Sequence, residues 1–201
     1  AVLPFKNLSN DEEQEYFADG ITEDIIANLS LWKTFPVISR NSSFSFKNST
    51  EKSGVISKAL GARYLVEGSV RKAGNKVRIT AQLTSADDDK QIWSKRWDRS
   101  LEDIFEVQDE VSRDVAALIS PALKDQEQVK LSTKGKKNFG AWDEYLQGLN
   151  IYNTENFAGS TSGDKVIEHC KRAIELDANF CDAYVLYLSL IHISEPTRPL
   201  E

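Results

Sequence analysis

Apolar and polar positions alternate through Val77, Ile79, Ala81 and Leu83, with Arg78, Thr80 and Gln82 between them. That period of two predicts a strand with one buried face. A second alternating run begins at Tyr64 and meets the first across Gly74-Asn75, so residues 64–83 predict a hairpin. A further strand is expected over 91–98, carrying Ile92, Trp93 and Trp97, and short strands over 1–5 and 35–39. Between the last two, Phe17, Ile21, Ile25, Ile26 and Leu29 recur at helical spacing. Gly20 interrupts this helix, and Thr22, followed by two acids, has the form of an N-cap, so the helix proper is expected from there. A strand–helix–strand unit of this length favours a parallel pair with a right-handed crossover.

Residues 40–50 form a polar stretch carrying Phe44 and Phe46 and predict a loop. Val55, Ile56, Ala59 and Leu60 predict a short helix stopped by Gly61. From Ser100 a long amphipathic helix is expected, with Ser100 and Asp103 placed as in a capping box. Its apolar stripe is Leu101, Ile104, Phe105, Val111, Val115, Leu118 and Ile119, with Gln108 as the polar member. Phe17, Ile21, Ile25, Val66, Ile79, Leu83, Ile104, Val111 and Val115 are the expected core. The lysine-rich, apolar-poor residues 125–138 have the composition of a linker. Helices over 140–153 and 164–177, and a third from Phe180, follow. The pattern predicts an α/β fold, a mixed sheet of about five strands with three helices, followed by an all-α helical hairpin. The division expected is 1–124, a linker 125–138, helical residues 139–190, and a tail 191–201 whose two prolines break the helical pattern and mark it as non-native.

Blocks spread over the first domain carry a resemblance. They are Ala1-Val-Leu-Pro-Phe-Lys-Asn-Leu-Ser9, Tyr16-Phe-Ala-Asp-Gly-Ile-Thr-Glu-Asp24, Val37-Ile-Ser-Arg-Asn-Ser-Ser-Phe44, Leu65-Val-Glu-Gly-Ser-Val-Arg71, Ile92-Trp-Ser-Lys-Arg-Trp-Asp98 and Asp103-Ile-Phe-Glu-Val-Gln-Asp-Glu110. Together with the hairpin they resemble the TolB-N-terminal-like domain of bacterial regulatory proteins over about residues 1–124. Asp87-Asp-Asp-Lys90 stands where such domains often carry glycine. Tyr145-Leu-x-Gly148, Cys170-Lys-Arg-Ala-Ile-Glu-Leu-Asp177 and Ala183-Tyr184 resemble a tetratricopeptide repeat and the start of the next. The resemblance implies a non-enzymatic regulatory or scaffolding module, in a protein whose cyclase or winged-helix domain lies outside this chain. It implies as partner another protein or other domains of the same polypeptide.

Charge and composition narrow the rest. Lys and Arg number 25 against 31 Asp and Glu, a net charge of -6. The basic excess that sequence-independent nucleic-acid binding requires is missing, and no apolar run has the length of a membrane span. The chain opens on what reads as a strand already under way, so a longer protein is expected upstream. The compartment stays open between cytoplasm and, with an upstream membrane span, periplasm. Cys170 and Cys181 are too few for a disulfide framework. Neither they nor His169 reproduce zinc-ligand spacing, His169 sits among charged neighbours as a helix-surface residue, and no phosphate-binding glycine loop occurs. No catalytic residue, cofactor or metal is therefore expected. Two binding candidates remain. Arg40, Asn41, Ser42 and Ser43, expected just after a strand's carboxyl end, could hold an anion or small molecule in the 40–47 loop. Trp142, Tyr145 and Tyr152, on one face of the first C-terminal helix, could line a protein-binding groove.

Overall fold

The computed structural model describes residues 1–9, 11–86, 88–120, 138–154 and 160–194. The chain divides into two compact units, Ala1–Thr133 and Lys134–Glu201. The first unit contains β1 (Lys6–Asn7), α1 (Glu15–Ser30), α2 (Arg40–Phe44), α3 (Ser53–Leu60), β2 (Tyr64–Ala73), β3 (Lys76–Ser85), β4 (Lys90–Ser100) and α4 (Ile104–Ile119). Its sheet has four strands in the order β1-β2-β3-β4. β1 runs parallel to β2, and β2, β3 and β4 are antiparallel neighbours.

The α/β class agrees with expectation, but four strands replace about five. Residues 35–39 do not join the sheet: Pro36 has no N–H to donate, and Ser39 turns outward to cap α2, its hydroxyl accepting from Ser42 N. β2 instead becomes the parallel neighbour of β1. The first strand is also broken. Val2 bridges Val66, yet two-residue β1 starts only at Lys6, opposite Ser69. Pro4 cannot donate between them, and the Phe5 N–H leaves the sheet for the Thr22 hydroxyl at 2.9 Å. Thr22 is therefore no N-cap. Helix α1 begins seven residues earlier, runs through a buried Gly20, and holds Thr22 in its fully buried interior.

The β2–β3 hairpin closes through Gly74, whose φ of +57° takes the left-handed turn conformation. In the β3–β4 turn Asp89 adopts φ +52°. A short polar side chain tolerates that conformation better than a branched one. A bulge opposite Leu83 and Thr84 leaves Ile92 out of the pairing and half exposed.

All nine expected core residues are buried, as are Val107 on α4 and Trp97 on β4. The Trp97 Nε1–H donates to Glu110 Oε2 at 2.8 Å, tying β4 to α4. Leu118, expected in the α4 stripe, is 40% exposed near the helix end. The Ser100 hydroxyl donates to the Asp103 carboxylate rather than capping backbone N–H groups, and a 3₁₀ turn over Leu101–Asp103 precedes α4. A smaller cluster of Leu3, Ile56 and Leu65 fixes α3 beside the sheet, with Phe46 and Leu60 packed against it.

The second unit contains α5 (Phe139–Thr154), α6 (Ser160–Leu176) and α7 (Cys181–Ser194). α6 packs on both α5 and α7. Gly148 allows the α5–α6 approach, since a Cβ there would stand 3.1 Å from His169 Cβ. Val166, Cys170, Leu186 and Leu190 form its buried cluster. Seven α-helices are thus described in all, four of them in the first unit rather than three. Residues 125–137 of the expected linker lie outside the described residues, as do 195–201 of the expected tail; α7 extends through Ser194.

Candidate functional site

Residues 40–43 are placed on a short helix, not in a loop. Arg40 Nε donates to Glu23 Oε2 at 2.7 Å, and its guanidinium lies 4.2 Å from the Phe44 ring centroid. Asn41 and Ser42 are exposed, whereas Ser43 is fully buried and its hydroxyl has no hydrogen-bond partner among the described residues. These four side chains do not converge. Arg40 already has an anion beside it, and the strand end expected to open a crevice there does not exist. Sequence reasoning could have suspected the Glu23 pairing only by knowing that α2 comes back against α1.

A groove lies just beyond them, outside the range of those four residues. It has a volume of about 400 Å³ and is lined by Leu3–Leu8, Phe46–Glu51, Glu15, Ile56, Glu67 and Gly68. Asn48 holds φ at +61° on its rim. Lys47 Nζ meets Asp19 Oδ2 at 2.6 Å and Glu15 Oε1 at 3.2 Å. Burial pushes the Asp19 carboxyl above its usual range, and Lys47 opposes that rise. Gly68 is required here: a Cβ would fall 2.4 Å from Phe5 Cε2 and 2.5 Å from the Thr80 carbonyl oxygen. Glu67 shares a sheet face with Leu65, the face against which α3 packs. Its Oε2 accepts from Gln82 Nε2 at 3.3 Å and from Ser53 Oγ and Thr84 Oγ1, each at 3.4 Å.

In the helical unit, Tyr145 and Tyr152 share a shallow groove of about 160 Å³ with Asp182, Val185, Leu186 and Ser189. Trp142, the third aromatic expected there, is buried and packs near Phe139. The Tyr145 ring meets Phe180 edge-on at 5.3 Å. Beside this groove α7 exposes Tyr184, Val185 and Leu188, the last two 64% and 57% exposed. Cys170, Ala173, Ala183 and Leu186 are buried instead in their own unit. The Cys170 thiol is pushed up to about 11 by burial, which leaves it protonated and unreactive near neutral pH. His169 Nδ1 lies 2.7 Å from Glu144 Oε2, joining α6 to α5.

Among the described residues no group of three or more His, Cys, Asp or Glu side chains is gathered to hold a metal ion. No described helix is long and apolar enough to cross a membrane.

No protein-family model matches the chain. It is 40% identical over 195 residues to a Rhizobium meliloti (strain 1021) protein named "Putative adenylate cyclase 3", covering 97% of this chain and 32% of that protein. The chain spans about a third of that relative's length. Among solved structures it is similar to the LpoB C-terminal domain from Salmonella enterica, with a TM-score of 0.40, 18% identity, and 49% of this chain and 80% of that one covered. It is also similar to TolB from Acinetobacter baumannii, with a TM-score of 0.41, 15% identity, and 60% and 27% of the two chains covered.

Proposed function

We propose that this chain is a non-catalytic regulatory module that works by protein–protein contact inside a larger bacterial signalling or transcription-regulatory protein. The TolB-like α/β unit and a tetratricopeptide-like helical unit are its two parts, divided by a linker near 125–138. Any cyclase activity resides in a part of such a protein outside these residues. The observation that supports this reading is the apolar surface of the helical unit. Tyr184, Val185 and Leu188 stand exposed beside the groove of Tyr145 and Tyr152. Contiguous exposed apolar side chains of this kind mark surfaces that a polypeptide covers.

The test measures both halves of the proposal on the chain itself. Incubated with ATP and a divalent cation, the chain forms no cyclic nucleotide above background; turnover by the purified chain refutes the non-catalytic assignment. In sedimentation velocity the chain associates as concentration rises, and Val185→Glu with Leu188→Glu keeps it monomeric. A chain that stays monomeric at high concentration and shows no difference from the variant removes the support for an interaction surface there.

A sensor reading, with a small molecule or anion bound near 40–47, is favoured only by the neighbouring groove. Arg40 is already paired with Glu23, and the groove's lining differs from the residues first expected to bind.

A further inference from the structure

The groove beside β1 has a chemistry that the interaction reading does not use. Glu67 offers one oxygen to three neutral donors, Ser53 from α3 and Gln82 and Thr84 from β3. Its other oxygen, Oε1, has no hydrogen bond or ion pair among the described residues. The three donors orient the carboxylate without neutralising it. At 3.3–3.4 Å they are at the long end of hydrogen-bond geometry, so the charge adds little to holding the fold together. Of the two lysines in the groove's lining, Lys47 is held by Asp19 and Glu15. Lys6 also lines the groove but is exposed. The groove's mixed lining also includes the apolar Leu3, Phe46 and Ile56 of the small core cluster. An oriented carboxylate without a cationic partner, in a groove that also offers apolar side chains, suits a group whose stem is aliphatic and whose end is cationic.

We propose that this groove binds a primary ammonium or guanidinium group carried on an aliphatic stem, with Glu67 as its counter-ion. The cation accepts no proton and breaks no bond; it exchanges water for the Glu67 carboxylate while its methylenes cover the partly buried Phe46. Such a group is presented either by a free diamine-like molecule or by a Lys or Arg side chain of an extended peptide lying along residues 3–8.

The experiment follows backbone amide shifts of the isotope-labelled full chain at low salt. The probes are agmatine, a blocked Ala-Arg-Ala peptide, and the same peptide with neutral citrulline in place of arginine. Saturable shifts at Glu67, Gly68 and residues 46–51 are expected with agmatine or the arginine peptide. Citrulline should bind at least about tenfold more weakly, the loss expected when a charge-assisted hydrogen bond becomes a neutral one. Tighter binding of the peptide than of agmatine assigns the cation to a polypeptide, and the reverse assigns it to a free molecule. Glu67→Gln keeps an oxygen for the three donors and should lose the same factor, its fold checked by its urea midpoint. Equal binding of arginine and citrulline, unchanged binding by a folded Glu67→Gln chain, or no saturable shift up to roughly 10 mM overturns the proposal. The arginine–citrulline comparison decides on the unmodified chain, whatever the variant does. Because the α7 surface belongs to the other unit, either proposal can fail without the other.

Discussion

The Thr22 hydroxyl holds the broken first strand, and Thr22→Val isolates that contribution. Valine keeps the shape of the side chain and has a helix propensity close to that of threonine, so packing inside α1 changes little. What disappears is the acceptor for the Phe5 N–H, now bonded at 2.9 Å. The hydroxyl's own donation to Ala18 O at 2.8 Å also goes, but that carbonyl belongs to the α1 backbone ladder and keeps its place there. Phe5 is 1% exposed and Thr22 is 0% exposed, so water does not replace the lost acceptor. A buried donor left unsatisfied costs about 1–3 kcal/mol, which lowers the melting point of a unit of this size by roughly 3–6 °C per kcal/mol. Thr22→Ser keeps the hydroxyl and removes one methyl, at a cost of about 1 kcal/mol. Urea unfolding followed through residue-resolved amide signals of α1 measures both losses. Hydrogen exchange at the Phe5 amide then separates their causes, because protection should fall in the valine variant and persist in the serine variant. A valine variant as stable as the parent, with Phe5 still protected, refutes the assignment of this hydrogen bond as what anchors the strand.

Other outcomes follow from the same structure. Gly68→Ala should cost about 1–3 kcal/mol as an overpacked site, since the Thr80 carbonyl oxygen cannot move aside as a side chain can; an unchanged urea midpoint would count against the close approach. Ile79→Ala should lose about 2–4 kcal/mol through its cavity, measured in the same unfolding assay. The Glu110 carboxyl is held below its usual value by the Trp97 N–H and then by Lys95. Its contribution is therefore present above the ordinary glutamate range and lost as pH falls through the lowered value. The stability difference between the parent chain and Glu110→Gln should shrink on acidification and stay level from pH 6 to 8 or so. A chain ended after residue 126 should unfold in one cooperative transition; a disordered product would show that the two units fold only together.

Strands whose two faces differ and helices whose apolar stripes are long follow from local pattern alone. Val77, Ile79, Ala81 and Leu83 are buried because a period of two leaves only one face for the core, and no tertiary partner is needed to read that. The stripe of α4 and the buried positions of α1 were legible for the same reason, at a period of 3.6. Gly61 and Gly74 were legible as punctuation, and their left-handed φ values of +62° and +57° show why.

Other features depend on residues distant in the chain. Residues 35–39 have a strand-like composition, but a strand needs a neighbour, and β2 occupies the position beside β1. Thr22 reads locally as a cap; it became an interior residue because Phe5, seventeen positions earlier, required an acceptor. Arg40 reads as an anion-binding residue until α2 returns against α1 and supplies Glu23. Trp142 shares a helical face with Tyr145 and Tyr152 in projection, yet packing of its own unit buries it. The groove at Glu67 had no local signature, because Ser53 on α3 and Gln82 and Thr84 on β3 meet on one oxygen of a β2 residue only after the sheet and α3 have assembled. Local periodicity fixes which face of an element is apolar; which polar groups meet is set by the long-range pairing of those elements.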